Sequence, residues 1–266
     1  MKKFFAVLLL CLLVSASARA GKIETVSLFD RQSNPDTSLL IGADAGQKAQ
    51  YCPDGKLEGN ILAFLVKMKG REILFDTGLP DGHIAAELKK NGIEAGGVKT
   101  ILLTHLHRDH YGGLLDAGGK AAFPNADVYV SRAERAYWVD EKQDRNVIHA
   151  LEQYAGRVHE FEPGGRVMPG VKALDTSGHT PGHVSFMLKN GKEKLLIIGD
   201  LIHFTRIQLP FPDVAVRYDV DPVKAVQARK RIFDLACEKH IPVAGMHVPF
   251  PGTLRLRKAG AGYEAY

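Results

Sequence analysis

The chain has 266 residues, 45% of them hydrophobic and 24% charged, an ordinary globular composition with enough length to bury a core in one large or two small domains. Its 27 Gly and 13 Pro follow no period, which excludes collagen-like and low-complexity architectures. The formal charge of +5 and pI of 9.0 are partly carried by the N-terminus, so a nucleic-acid partner is not expected.

Residues 1–20 read as an export signal. Lys2 and Lys3 form a positive start, Phe4 to Val14 is an apolar run, and Ala18-Arg19-Ala20 matches small-x-small cleavage. The run falls short of the roughly 20 residues that a spanning helix needs. Cys11 lies inside the run rather than after it, which argues against a lipoprotein site. Cleavage after Ala20 leaves 246 residues and, with Lys2, Lys3 and Arg19 gone, lowers the charge from +5 to +2. The expected product is periplasmic or secreted, without a stable membrane anchor, and one domain, residues 21–266. It keeps Cys52 and Cys237, far apart and without C-x-x-C spacing; two unpaired thiols are the simpler reading, and a disulfide between them stays open.

Strands are expected at 26–29, 60–66 and 72–75, the last closed by Asp76-Thr77-Gly78. A helix at 83–90 stops at Asn91-Gly92, strands follow at 99–103 and 127–130, and helices at 133–139 and 146–154. Strands at 171–174, 184–188 and 194–198 precede the clearest helix, 222–239, with Asp221 as N-cap and Pro222 in the first turn. A strand at 242–245 and a short tail complete the chain. Alternating strands and helices predict a mixed α/β sandwich. Arg229, Lys230 and Arg231, adjacent on the long helix, read as a solvated face.

The segment Thr104-His105-Leu106-His107-Arg108-Asp109-His110-Tyr111-Gly112-Gly113 places four ligand-type side chains in six positions. In an extended segment residues two apart share a side, so His105 and His107 can grip one cation. Asp109 and His110 then turn toward a second, with Gly112 and Gly113 expected to permit the tight turn. So many polar groups would be costly to bury without a partner. Imidazoles with a carboxylate suit zinc, with iron or manganese also admitted. Further ligands are expected at strand ends. His179 (in Ser177-Gly178-His179-Thr180-Pro181-Gly182-His183), Asp200 and His247 meet that condition.

The pattern H-x-H-x-D-H, then G-H-T-P-G-H, a strand-ending G-D and a final His resembles the metallo-β-lactamase superfamily, whose first motif Asp76-Thr77-Gly78 also fits. The resemblance implies an αββα sandwich with a dinuclear site, two Zn2+, along one edge. His105, His107 and His179 would hold the first metal and Asp109, His110 and His247 the second, with Asp200 bridging. It further implies a bridging hydroxide as nucleophile, two metals roughly 3.5–4 Å apart, and catalytic roles for Asp109 and Asp200. Asp200 also argues against lactam hydrolysis, since β-lactamases of the superfamily lack a bridging Asp there.

Ala122 to Ala126, Gly199 through Gln208 and Phe250-Pro251-Gly252 look like the methyl parathion hydrolase group, which would place Trp138 against substrate; residues 21–59 show no such match. Tyr111 and His203 are further candidate substrate contacts, each weighed against a packed wall residue. Asp76 is expected to brace ligands rather than bind metal, and His183 to be structural. The expected function is an exported hydrolase of small neutral esters, organophosphate triesters or lactones, acting on a small-molecule substrate, with a homodimer left open. An acyl-homoserine lactone hydrolase is the nearest rival. A mononuclear-iron sulfur dioxygenase is the alternative from another class.

Overall fold

Strand Gly59–Met68 has no solvent face: every residue from Ile61 to Val66 is buried. Leu62, Phe64 and Val66 point one way and Ala63 and Leu65 the other. Such a strand needs a packed layer on each side. In the computed structural model, which describes residues 21–266, a second sheet covers one side and helices the other. The expected export signal lies outside the described residues.

The first six-stranded sheet runs Glu24–Ser33, Gly59–Met68, Arg71–Phe75, Thr100–Leu102, Asp127–Ser131 and Val158–Phe161. Its first three strands pair antiparallel and the rest parallel. The second runs Thr253–Leu254, Val243–Ala244, Glu193–Ile197, Val184–Asn190, Val171–Asp175 and Arg166–Met168. Phe64, Phe75, Phe186 and Ile197 fill the layer between the sheets. Each such fully buried side chain contributes roughly 1.5–3 kcal/mol. Helix Ile84–Lys90 packs Ile84 and Leu88 on the outside of the first sheet, and Pro222–Lys239 packs Ile232, Phe233 and Ala236 on the outside of the second. The expected αββα sandwich is the fold found. Among the described residues no helix is long and apolar enough to cross a membrane.

Helix Pro222–Lys239 has the expected bounds, with the Asp221 carboxylate accepting from the Lys224 N–H at 3.0 Å. Its three adjacent cationic residues do not form the expected solvated face. Lys230 and Arg231 are partly exposed, but Arg229 is 1% exposed. Its guanidinium donates to the carbonyls of Leu201, Pro212 and Val214, fastening the segment that follows Asp200. Burial lowers its pKa to about 10. The elements not foreseen are short or at edges: strand Val158–Phe161 exposes its two central residues, and the tail is a hairpin of Leu256–Ala259 with Gly262–Ala265. Residues 34–58, unmatched in the sequence, hold helix Ala45–Tyr51 and strand Leu40–Ile41, which pairs with Ala215–Val216 over a satellite core including Leu57, Phe204 and Ile207. Cys52 and Cys237 are both free and belong to different packing clusters.

The glycines after the histidine cluster act differently from the expectation. Gly112 has helical dihedrals, φ −60° and ψ −36°. What needs its missing side chain, and that of Gly113, is close approach: a Cβ would lie 2.3 Å from Pro80 Cδ at Gly112 and 2.0 Å from the Thr77 carbonyl oxygen at Gly113. The two segments that follow neighbouring parallel strands are thereby packed backbone to backbone.

Candidate metal centre

The seven sequence-identified residues converge at one edge of the sandwich, each from the end of a strand or the loop after it. His107 is extended (φ −75°, ψ 154°) and begins the short helix Arg108–Tyr111, which swings Asp109 and His110 to the other side of Asp200. The seven residues form two groups of ligand atoms, one from His105, His107, His179 and Asp200 and one from Asp109, His110 and His247, and His203 makes a further group with Asp200 and His247. In the first, His107 Nδ1 lies 3.0 Å from His105 Nε2 and 2.9 Å from His179 Nε2. Asp200 Oδ2 is 3.2 Å from His179 Nε2 and 3.6 Å from His105 Nε2. In the second, His247 Nε2 is 3.5 Å and His110 Nε2 3.7 Å from Asp109 Oδ2. Asp200 reaches this group too, Oδ1 at 3.1 Å from His110 Nε2 and Oδ2 at 3.1 Å from His247 Nε2.

The outer nitrogens explain why the inner ones are available. His105 Nδ1 donates to Thr104 Oγ1, His110 Nδ1 to Asp76 Oδ2, His179 Nδ1 to Asp219 Oδ1 and His247 Nδ1 to the Asn60 carbonyl. A neutral imidazole that donates through Nδ1 turns its Nε2 lone pair inward, as a metal ligand must. Asp76 accepts in addition from the Thr104 N–H and hydroxyl and adopts φ +58°, a left-handed conformation held by these bonds. It braces His105 and His110 and lies outside both ligand groups. His183 donates to Thr176 and accepts the Asp200 N–H at 3.0 Å, so it holds the backbone of Asp200.

The donor set fits a pair of divalent cations. His110 Nε2 and Asp200 Oδ1 are buried and, though 3.1 Å apart, lack the alignment of a hydrogen bond. His203 Nδ1 is a third buried atom without a partner. Charge follows the same geometry. Burial would raise the Asp200 carboxyl, but the surrounding His110, His247 and His105 hold it well below the carboxylate range. Burial disfavours a charged His179, yet Asp200 and Asp219 raise it to about 9. His107, desolvated and facing His179, falls to about 3.

The cluster opens into a cavity of about 670 Å³ whose walls include Ile61, Leu79, Phe204 and Tyr218. His203 lines it too, its Nε2 3.1 Å from Asp200 Oδ2 and its ring stacked on His247. Tyr111 and Trp138 do not line this cavity. Tyr111 is 6% exposed in the core beneath the first sheet. Trp138 turns its edge to the back of His107, ring centroids 5.5 Å apart, and donates its indole N–H to Glu134. A larger cleft of about 830 Å³, lined by residues such as Lys22, Lys67 and Arg71, lies elsewhere and holds none of the ligand groups.

Asp219 and Glu134 are buried carboxylates bonded to the site that the sequence did not single out. Asp219 is 40 residues from its histidine. Glu134 sits in Ser131-Arg132-Ala133-Glu134, which reads as a helix capping box. The Ser131 hydroxyl does cap the Glu134 N–H, but the Glu134 carboxylate turns into the protein.

A family model described as the metallo-beta-lactamase superfamily matches residues 57–244. The chain belongs to that superfamily. Among its relatives, an N-acyl homoserine lactonase of a Bacillus species is 30% identical over 166 residues, 53% of this chain and 62% of the relative. The corresponding match to a Bacillus cereus N-acyl homoserine lactonase spans 65% of that relative, so the chain spans under two thirds of the length of both. N-acyl homoserine lactonase AiiA of Bacillus thuringiensis subsp. kurstaki is 26% identical over 209 residues, 69% of this chain and 78% of the relative. Among solved structures, a superfamily member described as hydrolase AbOPH has a TM-score of 0.84 and 32% identity, covering 92% of this chain and 94% of its own. AidC, described as a dizinc quorum-quenching lactonase, has a TM-score of 0.84 at 24% identity over 93% of this chain and 95% of its own; it supports the superfamily fold alone. The hydrolase reading of the sequence agrees with what these superfamily relatives are called.

Proposed function

We propose that this chain is a metal-dependent hydrolase that holds two divalent cations, zinc by preference, and cleaves small neutral esters of the organophosphate triester or lactone class. The observation that carries this reading is the sharing of one buried carboxylate, Asp200, between two convergent ligand groups. His105, His107 and His179 would hold one cation, Asp109, His110 and His247 the other, and Asp200 both. When bound, such a pair supplies a Lewis-acidic centre that lowers the pKa of water toward neutrality and stabilises negative charge on oxygen.

The chain's own groups divide the remaining work. Asp200, held ionised among its histidines, keeps a negative charge between the two groups and so favours cations there. Asp109, with 27% of its side chain exposed, also lines the cavity and is the carboxylate placed to exchange a proton with solvent. Ile61, Leu79 and Phe204 would receive apolar substituents of the ester and exclude water around the scissile bond. Residues 1–20 would direct export to the periplasm or medium. The names of the relatives support the lactone half of the substrate class, and the sequence resemblance to the methyl parathion hydrolase group supports the triester half.

The test is a side-by-side turnover assay of zinc-loaded protein on a p-nitrophenyl dimethyl phosphotriester and a long-chain acyl-homoserine lactone, with and without chelator. Chelator-sensitive hydrolysis of either supports the reading. A kcat/KM ratio above about tenfold, roughly 1.4 kcal/mol of transition-state discrimination, decides which substrate the cavity fits. Turnover of neither would refute the ester assignment.

A further inference from the structure

Glu134 is fully buried, 0% exposed, and four donors from three separate segments converge on its carboxylate. Oε1 accepts from the Leu106 N–H at 2.9 Å and the Trp138 indole at 2.6 Å. Oε2 accepts from the Thr180 hydroxyl at 2.6 Å and the Gly182 N–H at 3.0 Å. Leu106 lies between His105 and His107, and Thr180 adjoins His179. The two strand-end loops that bring three imidazoles to the first ligand group are therefore tied to one carboxyl group, while the same group fixes the indole packed behind His107.

We infer that Glu134 is a positioning residue for the first cation: it sets the distance between the His105/His107 loop and the His179 loop, and through Trp138 it fixes the ring of His107. This rests on the two-cation reading above. Gly182 belongs to the same device, since a Cβ there would lie 2.0 Å from the Glu134 amide nitrogen, so the His179 loop can dock only without a side chain at that point. A carboxylate is required rather than an amide. Three of the four donors are N–H groups that cannot reverse, and each oxygen meets at least one of them. In either orientation the –NH2 of a glutamine would therefore oppose a fixed donor and push one loop away.

The chain has a single Trp, so its emission reports on this junction directly. The experiment titrates metal-free Glu134→Gln and wild-type protein with zinc, following Trp138 fluorescence and competition with a colorimetric chelator. Phe233→Ala, a buried change on the outside of the second sheet, serves as a comparator that lowers Tm, and its core cluster includes no residue of either loop. The expected result is zinc affinity at one of two sites weakened about 10- to 100-fold in Glu134→Gln, with an altered Trp138 response. Phe233→Ala should keep wild-type affinity despite its lower Tm. Should Glu134→Gln fail to fold, Thr180→Val removes one donor and should weaken the same site by about threefold or more. Zinc affinity within twofold of wild type in the folded variant would overturn the inference and leave the metal reading intact. Failure of the wild-type protein itself to bind zinc would overturn the reading on which it rests.

Discussion

Replacing Asp219 with Asn isolates the contribution of a single outer hydrogen bond to metal affinity. In the native protein Oδ1 accepts from His179 Nδ1 at 2.8 Å and Oδ2 from the Val216 N–H at 3.0 Å. Asparagine keeps the shape but has one acceptor for two donors. With its oxygen toward Val216, its –NH2 donates to His179 Nδ1, the imidazole proton moves to Nε2, and that nitrogen can no longer bind a cation. With its oxygen toward His179, the ligand tautomer returns but a buried Val216 N–H loses its acceptor, at about 1–3 kcal/mol. With one of the two carboxylates that raise His179 gone, the metal-free variant takes the first arrangement with a neutral ring, and the loaded variant must take the second. The difference falls on zinc affinity, which should weaken by roughly 5- to 150-fold. Chelator competition at pH 7.5 measures it, with Tm of the metal-free protein as a fold control. An affinity within twofold of wild type, with Tm unchanged, would refute the argument that Asp219 sets the His179 tautomer.

Two other outcomes follow from the same geometry. His179, raised to about 9 by Asp200 and Asp219 against the opposing effect of burial, carries a proton at neutral pH in the metal-free protein, and zinc must displace it. Its raised pKa stabilises that protein fully below about 6.5, and the contribution disappears as pH rises through about 9, so the apparent zinc affinity should climb with pH over this window. Calorimetry in buffers of different ionisation enthalpy should detect proton release near pH 7, and its absence would contradict the assignment. Arg229→Ala should destabilise the fold by about 3 kcal/mol or more, because it leaves carbonyls of Leu201, Pro212 and Val214 unpaired around a cavity. Denaturant unfolding checks this, and a loss under 1 kcal/mol would mean that the segment after Asp200 repacks.

The candidate ligands were legible in the sequence because four of them occupy six adjacent positions and the others stand at the ends of apolar strand-like runs. Asp76 was legible through its motif, and its bonds to Thr104 and His110 give the bracing role a geometry. The outer partners were hidden for physical reasons. Asp219 and Glu134 act across 28 to 48 residues, and a carboxylate's environment is set by folding rather than by its neighbours in the chain. Glu134 also imitates a helix cap. Arg229 sits between residues 228 and 230, and three consecutive cationic residues on a helix look solvated until the helix's buried face is known to include the first of them. Residues 34–58 gave no readable pattern because their short elements pack on a satellite core shared with the distant segment after Asp200.

Asp200 would join two cation sites, and metal stoichiometry tests this most directly. Elemental analysis of zinc-equilibrated, dialysed protein should find about two zinc per chain, and Asp200→Ala should retain less than one while remaining folded. About one iron and no zinc in protein purified without added metal, with Asp200→Ala unchanged, would contradict the two-cation account and favour a mononuclear oxygenase.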